Sequence, residues 1–315
     1  MTRLVADIGG TNARFALADA AGSLRELRNF RVRDFPGPEE AIRRYLEETA
    51  ARVRHAVLAV ATPVENDEIR FTNSPWRFSR RQLEAALGLE RLVVVNDFVA
   101  QAIAVAHLPA EDLEPIGGGA ALAGRPMVVI GPGTGLGTSV LVPCPEGRRP
   151  IATEAGHISL APETPRELEL LRLLWARFPH VSRERVLSGP GIVNLATAVS
   201  ALDGEARTFR DPAEVVAQAR EGSCARCREA LSLFSGLLGA YVGDMVLAHG
   251  AFAGAYLVGT LLGRLGELFD RDLFRARFEA KGRLQALLER VPVWRVRRTE
   301  TGLLGASHLA FGEAG

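Results

Sequence analysis

The chain has 315 residues, with 38 Lys and Arg against 37 Asp and Glu, a formal net charge of +1 and a hydrophobic fraction of 47%. That balance excludes a disordered chain and a polycation built for nucleic acid, and the length allows about two domains, each with its own core. No apolar run approaches the roughly 18 residues of a membrane span, the first strand starts too early to leave room for a leader, and three cysteines cannot build a disulfide framework, so a cytoplasmic protein is expected.

From the N-terminus, residues 4–32 alternate apolar and polar well enough for three strands, with a loop near residues 20–22. Residues 36–50 read as a helix opened by Pro38, with Ile42 and Tyr45 on one face. A buried strand follows at 56–60, a short helix at 79–87 and an apolar strand at 92–96. That last strand ends in Asn96-Asp97, after which 98–106 has helical period. Residues 109–124, rich in Pro, Gly and Ala, make a linker candidate. After a hairpin at 127–142 the chain turns helical at 165–177, 191–202, 211–221 and 226–249. A strand at 255–258 ends at Gly259, and a Leu-rich helical stretch follows. A last strand at 291–296 precedes a helix at 302–311. The order implies an α/β protein of two related halves, each a sheet with helices around it.

One pattern occurs twice. LVADIGGTNARFALAD (4–19) and MVVIGPGTGLGTSVLV (127–142) each read as strand, Gly/Thr-rich turn and strand. Glycine lets backbone N–H groups close on a phosphate with no Cβ in the way, so two such turns suggest a nucleotide held from two sides. Lys281 is the only lysine in the chain, so neither turn is a Walker loop, which needs its GK[ST] lysine. Neither opens directly into a helix, which removes the Rossmann fingerprint as well. Phosphate must therefore be held by hairpin turns together with a metal.

Taken together, DIGGTNARFALAD, TNSPWRFS, NDFVAQA, GPGTGLG, EAGH, ERVLSGPGIVNL and TGLLGASHL resemble the bacterial glucokinase family, within the superfamily of sugar kinases, actin and chaperone ATPases. The resemblance spans the whole chain. It implies a two-domain actin-like ATPase (ribonuclease H-like) fold with a duplicated α/β core and an interdomain cleft. The small domain would be 1–108 plus 299–315, and the large domain 109–298. The implied activity is ATP-dependent phosphorylation of glucose at its 6-hydroxyl, with Mg2+, by a homodimer. Another hexose, or actin-like ATP hydrolysis without a sugar, is the alternative. A sugar-responsive repressor would need a DNA-binding segment before the first strand.

Within that resemblance the site residues take roles. Phosphoryl transfer needs a carboxylate to accept the hydroxyl proton, and Asp97 at a strand end is the candidate. Asn96 beside it would bond neighbouring sugar hydroxyls, although Asn-Asp also makes a good helix cap. Asp7, just before Gly9, Gly10, Thr11 and Asn12, would hold Mg2+ through water, since that ion needs few carboxylates; an ordinary turn is the plainer alternative. Arg14 could neutralise transition-state charge or lie on the strand's solvent face. Gly133 and Thr134 would close over the nucleotide, and Gly135 would also touch the sugar. Gly259-Thr260 stands where relatives have Gly-Gly beside adenosine. Glu154, His157 and Glu184 would read the hexose hydroxyls, with Ala155 replacing a commoner glycine. Cys224 and Cys227, i and i+3 on an expected helix, lack the further ligands zinc requires, which points to a structural or weakly redox-active pair.

Overall fold

The computed structural model describes residues 2–71 and 74–309. Thr72 and Asn73 of the TNSPWRFS motif, and residues 310–315 of the expected C-terminal helix and domain, lie outside the described residues. The chain divides into two compact units. The first is Met1–Pro109, Cys144–Ala152 and Glu300–Gly315; the second is Ala110–Pro143 and Thr153–Thr299.

The chain opens with three strands, β1 (Arg3–Ile8), β2 (Asn12–Ala18) and β3 (Leu24–Arg31), joined in an antiparallel meander. It continues through α1 (Pro38–Thr49), β4 (His55–Val60), a small hairpin of β5 (Glu68–Arg70) and β6 (Arg77–Ser79), α2 (Arg80–Ala86), β7 (Arg91–Asn96) and α3 (Asp97–Val105). The sheet order is β3-β2-β1-β4-β7, with β1, β4 and β7 parallel. Strand period 2 divides β1 between two cores. Leu4, Ala6 and Ile8 face Phe15, Ile42, Tyr45 and Trp76, while Val5 faces the opposite way with Val57, Val93, Ala100 and Leu303. Asp7 has the parity of Val5. β3 (LRELRNFR) lies at the sheet edge, mostly exposed, where its charges discourage pairing with another chain.

The second unit begins with β8 (Leu113–Gly117), β9 (Met127–Pro132) and β10 (Leu136–Cys144), after which the chain forms β11 (Gly147–Thr153). Helices follow as α4 (Pro165–Trp175), α5 (Gly189–Leu202), α6 (Pro212–Glu221) and α7 (Ala225–His249). Then come β12 (Gly254–Leu257), α8 (Leu261–Leu265), α9 (Arg271–Glu279), α10 (Gln285–Leu288) and β13 (Val293–Val296), and the first unit receives α11 (Thr301–His308). The second sheet runs β11-β10-β9-β12-β13-β8, with β9, β12 and β13 parallel. Apart from β8, this repeats the plan of the first sheet: an antiparallel arm beside three parallel strands. Local chemistry starts the helices. Thr164, Ser188 and Asp211 cap α4, α5 and α6 with side-chain oxygens, and each of those helices carries Pro in its first turn.

Three expectations need correction. Residues 109–124 are not simply a linker, because β8 lies within them and pairs antiparallel with β13. Its anchor is Glu114, buried, whose carboxylate meets Arg295, Arg271 and Arg297. The second correction concerns apolar length: α7 is long and apolar enough to cross a membrane by composition, yet 78% of its apolar window is buried inside the protein. It is a core helix, apolar nearly all round as such a helix must be. Gly239 on it touches the Phe274 carbonyl, so only glycine lets α9 come that close. Third, Cys224 and Cys227 do not merely share a helix face: Cys224 precedes α7 and caps it, its Sγ accepting from the Cys227 N–H at 3.2 Å.

Candidate functional site

In the first unit the candidate residues gather at the C-terminal ends of the parallel strands. Ile8 pairs with Val60 and Val60 with Asn96, so the turn after β1 and the Asn96-Asp97 step share one sheet edge. Two strand spacings separate them, about 10 Å. Ligands bind at this edge of open α/β sheets because the strands stop and helix N-termini begin there. Asn96 caps α3, accepting from the Phe98 N–H at 2.9 Å, while its amide donates to the Thr62 carbonyl at 3.3 Å. Asp97 is the first residue of α3, and its Oδ1 also accepts from the Phe98 N–H, at 3.0 Å. Asn96 therefore does cap the helix, and the cap fixes where the Asp97 carboxylate starts from.

The first turn is closed by the Gly9 N–H donating to the Asn12 carbonyl at 2.9 Å, and Thr11, exposed at its tip, accepts from the Val32 N–H at 3.0 Å. Neither Gly9 nor Gly10 has a left-handed φ, so glycine is not required there by backbone strain. A Cβ at Gly9 would have only the Asn12 carbonyl within 4 Å, at 3.8 Å. Asp7 lies opposite Arg14 in the ladder, with Arg14 Nη1 at 3.3 Å from its Oδ2. Burial pushes the Asp7 carboxyl above the ordinary carboxylate range, and Arg14 works against that shift. Its carboxyl also lies 2.7 Å from where a Cβ on Gly302 would stand, at the start of α11. Gly302 had no assigned role in the sequence; the TGLLG motif was the signal. Further along, α11 packs on α3 where Gly305 meets the Ala100 carbonyl.

In the second unit the turn between β9 and β10 is tighter, with the Gly133 N–H bonded to the Gly135 carbonyl at 2.8 Å. Two further bonds dock it. The Gly189 N–H, at the start of α5, donates to the Gly133 carbonyl at 2.7 Å, and the Leu136 N–H donates to Glu184 Oε2 at 2.9 Å. Glu184 Oε2 lies 2.5 Å from an ideal Cβ at Gly135, so any side chain here would push that carboxylate aside. Gly133 has open space and Thr134 is exposed.

Glu154 and His157 flank a short turn whose Gly156 presses on the Leu136 carbonyl, which brings both to the same end of β10 as Glu184. His157 Nε2 is 3.9 Å from Glu154 Oε2. Residues 157–160 run antiparallel to 180–183. The Leu160 N–H donates to the Val181 carbonyl, the Arg183 N–H to the Ile158 carbonyl, and the His180 ring bonds the His157 carbonyl, each at 2.9 Å. The Glu184 carboxylate and the Gly156 backbone between Glu154 and His157 thus both contact Leu136. Gly259, φ +89°, sits beside the Pro132 carbonyl, and Thr260 is exposed at the start of α8. Burial pushes the Cys227 thiol up to about 12, with Cys224 beside it, which keeps it protonated and unreactive. Among the described residues no three His, Cys, Asp or Glu side chains gather as a metal site. A single, largely buried acid at a strand end still suits Mg2+, which keeps most of its water and takes further ligands from phosphate.

A family model described as Glucokinase matches residues 4–312. A glucokinase of Aromatoleum aromaticum is 47% identical over 308 residues, covering 97% of this chain and 93% of that protein. One from Chromobacterium violaceum is 45% identical over 310 residues, 98% of this chain and 89% of the relative. The crystal structure of a glucokinase from an Antarctic psychrotroph superposes with a TM-score of 0.87 at 37% identity, covering 97% of each chain.

Proposed function

We infer the reaction from membership and placement together: the chain belongs to the glucokinase family, and Asn96-Asp97 ends a parallel strand in register with the first glycine turn. Its fold is the actin-like ATPase fold of those enzymes, with the α/β core present twice. The enzyme transfers the γ-phosphoryl group of ATP to the 6-hydroxyl of glucose, giving ADP and glucose 6-phosphate.

In our reading Asp97 accepts the hydroxyl proton as the sugar oxygen bonds to phosphorus, and Asn96 orients the neighbouring hydroxyls. Asp7 would hold Mg2+ through water, and the bound ion would supply charge neutralisation at the phosphate oxygens. Gly9, Gly10, Thr11 and Asn12 receive the moving phosphoryl group, Gly133 and Thr134 the rest of the triphosphate, and Gly259-Thr260 the adenosine. Arg14 offsets the buried Asp7 charge when the metal is away. Glu154, His157, Glu184 and the Gly135 backbone read the hexose; a site that bonds each hydroxyl leaves groups unpaired when an epimer enters. Residues 1–108 with 299–315, and 109–298, act as the two working domains. A cytoplasmic homodimer is part of the same reading, and sedimentation of the purified chain tests the dimer.

The decisive assay supplies ATP and Mg2+ with glucose, mannose, fructose or no sugar, and follows both ADP and sugar phosphate. The expected result is ADP release that depends on glucose and matches glucose 6-phosphate mole for mole. ADP release indifferent to every sugar would overturn the reading.

A further inference from the structure

We propose that Arg183 is a positioning residue that holds the sugar-reading carboxylate of Glu184 from inside the second unit; this rests on the role given to Glu184 above. The two side chains leave adjacent positions of one short turn in different company. Glu184 bonds the Leu136 N–H, and its carbonyl accepts from Ser188 Oγ at 2.8 Å. Arg183 is buried, its side chain 3% exposed, and donates to Asp244 Oδ2 on α7 at 2.8 Å. Its guanidinium also lies over the Tyr241 ring, 5.8 Å from the centroid.

That ring leads back to the turn. The Tyr241 hydroxyl shares a 2.7 Å hydrogen bond with Thr138 Oγ1, and Thr138 follows Leu136 on β10. A closed circuit results: Glu184 to Leu136, along β10 to Thr138, across to Tyr241, and through the Arg183 guanidinium back to Glu184. Shifting Arg183 therefore moves Glu184 against the backbone amide it bonds.

The arginine's surroundings argue against a space-filling role. Its Nε and Nη1 have no hydrogen-bond acceptor among the described residues. A buried charge with donors unsatisfied is a poor choice for stability alone, where an apolar side chain of similar volume does as well or better. Asp244 is also braced from the other side. It meets Lys281 Nζ at 2.7 Å, Lys281 meets Glu163 at 3.2 Å, and Glu163 meets Arg277 at 3.1 Å. Charge alternates along this row, so Asp244 is a fixed anchor rather than a mobile partner. Lys281, the chain's only lysine, passes where a Cβ on Gly243 would come within 2.9 Å of its Cε, a gap suited to a narrow stem.

The test uses the full chain with Arg183→Met, Arg183→Lys and Tyr241→Phe, reading KM for glucose and for ATP, the glucose-to-mannose ratio of kcat/KM, and Tm. Arg183→Met should raise the glucose KM about 10-fold and narrow the hexose ratio, with the ATP KM held within about twofold. Arg183→Lys, which keeps the charge on Asp244, should recover part of that loss. Tyr241→Phe, which removes only the bond to Thr138, should show the same pattern about threefold weaker and serves if Arg183→Met does not fold. A lower Tm with glucose KM and hexose ratio unchanged in Arg183→Lys and Tyr241→Phe would overturn the proposal. So would equal loss of glucose and ATP affinity. Glucose phosphorylation by the parent chain is measured alongside, so failure of the wider reading would show there instead.

Discussion

The two glycine turns occupy the same place in two sheets of the same plan, yet they are held in different ways. The first follows a strand pair in which Asp7 faces Arg14; at the matching rungs of the second, Gly131 faces Gly137. The first has an ionisable group of its own, pressed against Gly302 at the start of α11. The second has none and takes its carboxylate from Glu184, far along the chain, through the Leu136 N–H. The third parallel strands differ likewise. β7 ends in Asn96 and is followed by Asp97, whereas β13 is followed by Arg297 and Arg298, engaged by Glu114 and Asp112. The two sheets thus share one plan but carry different charges at their strand ends.

The sharpest contrast is at the third strand. Asp97→Asn should lower kcat by about 1000-fold while glucose still binds, measured by turnover and calorimetric titration. Turnover near the parent rate would end the case for a general base on the first half. Next comes Asp7→Asn, expected to cut turnover about 100-fold and to weaken the dependence on Mg2+. The same change carries a stability signature. The folded carboxyl is raised by burial, so its favourable contribution is complete below the ordinary Asp pKa and is lost as pH rises through the folded value. Asp7→Asn should therefore melt higher than the parent at pH 7, and the gap should shrink in acid; a lower Tm at pH 7 would mean that the Arg14 pair outweighs burial.

Effects on the second half are smaller and structural. Burial would raise the Glu114 carboxyl, but hydrogen bonds from Arg295 and Arg271 hold it down to about 2. Its contribution is thus present above the ordinary Glu pKa and fades as pH falls toward 2. Glu114→Gln should cost about 1–3 kcal/mol in denaturant unfolding, with KM values unchanged. Smallest is Cys224→Ser, which retains a side-chain cap for α7 but buries a hydroxyl, and should cost about 1 kcal/mol.

Periodic and capped features were legible in the sequence because they depend on neighbours along the chain. The β1 alternation, Pro38 opening α1, and the apolar run into Asn96 all appear as expected. β8 was hidden because its pairing with β13 and the three arginines on Glu114 are contacts across the fold, and Pro115 with the following glycines masks a short strand. The apolar length of α7 is masked in the sequence by small residues and a few polar ones, although packing against α9 needs those small residues. Within the site, the expected residues gather as two groups, one at each turn. Gly302 and Arg183 were not singled out: the first matters only for the carboxylate against it, the second only for what lies beneath its turn.

The unequal mounting of the two turns can be measured directly by glucose titration without nucleotide, using Gly9→Ala and Gly135→Ala. A Cβ at Gly135 meets Glu184 Oε2, whereas one at Gly9 has room. Gly135→Ala should weaken glucose binding about 10-fold with no ATP present, while Gly9→Ala binds glucose as the parent does. Equal glucose affinity in the two variants would contradict the account.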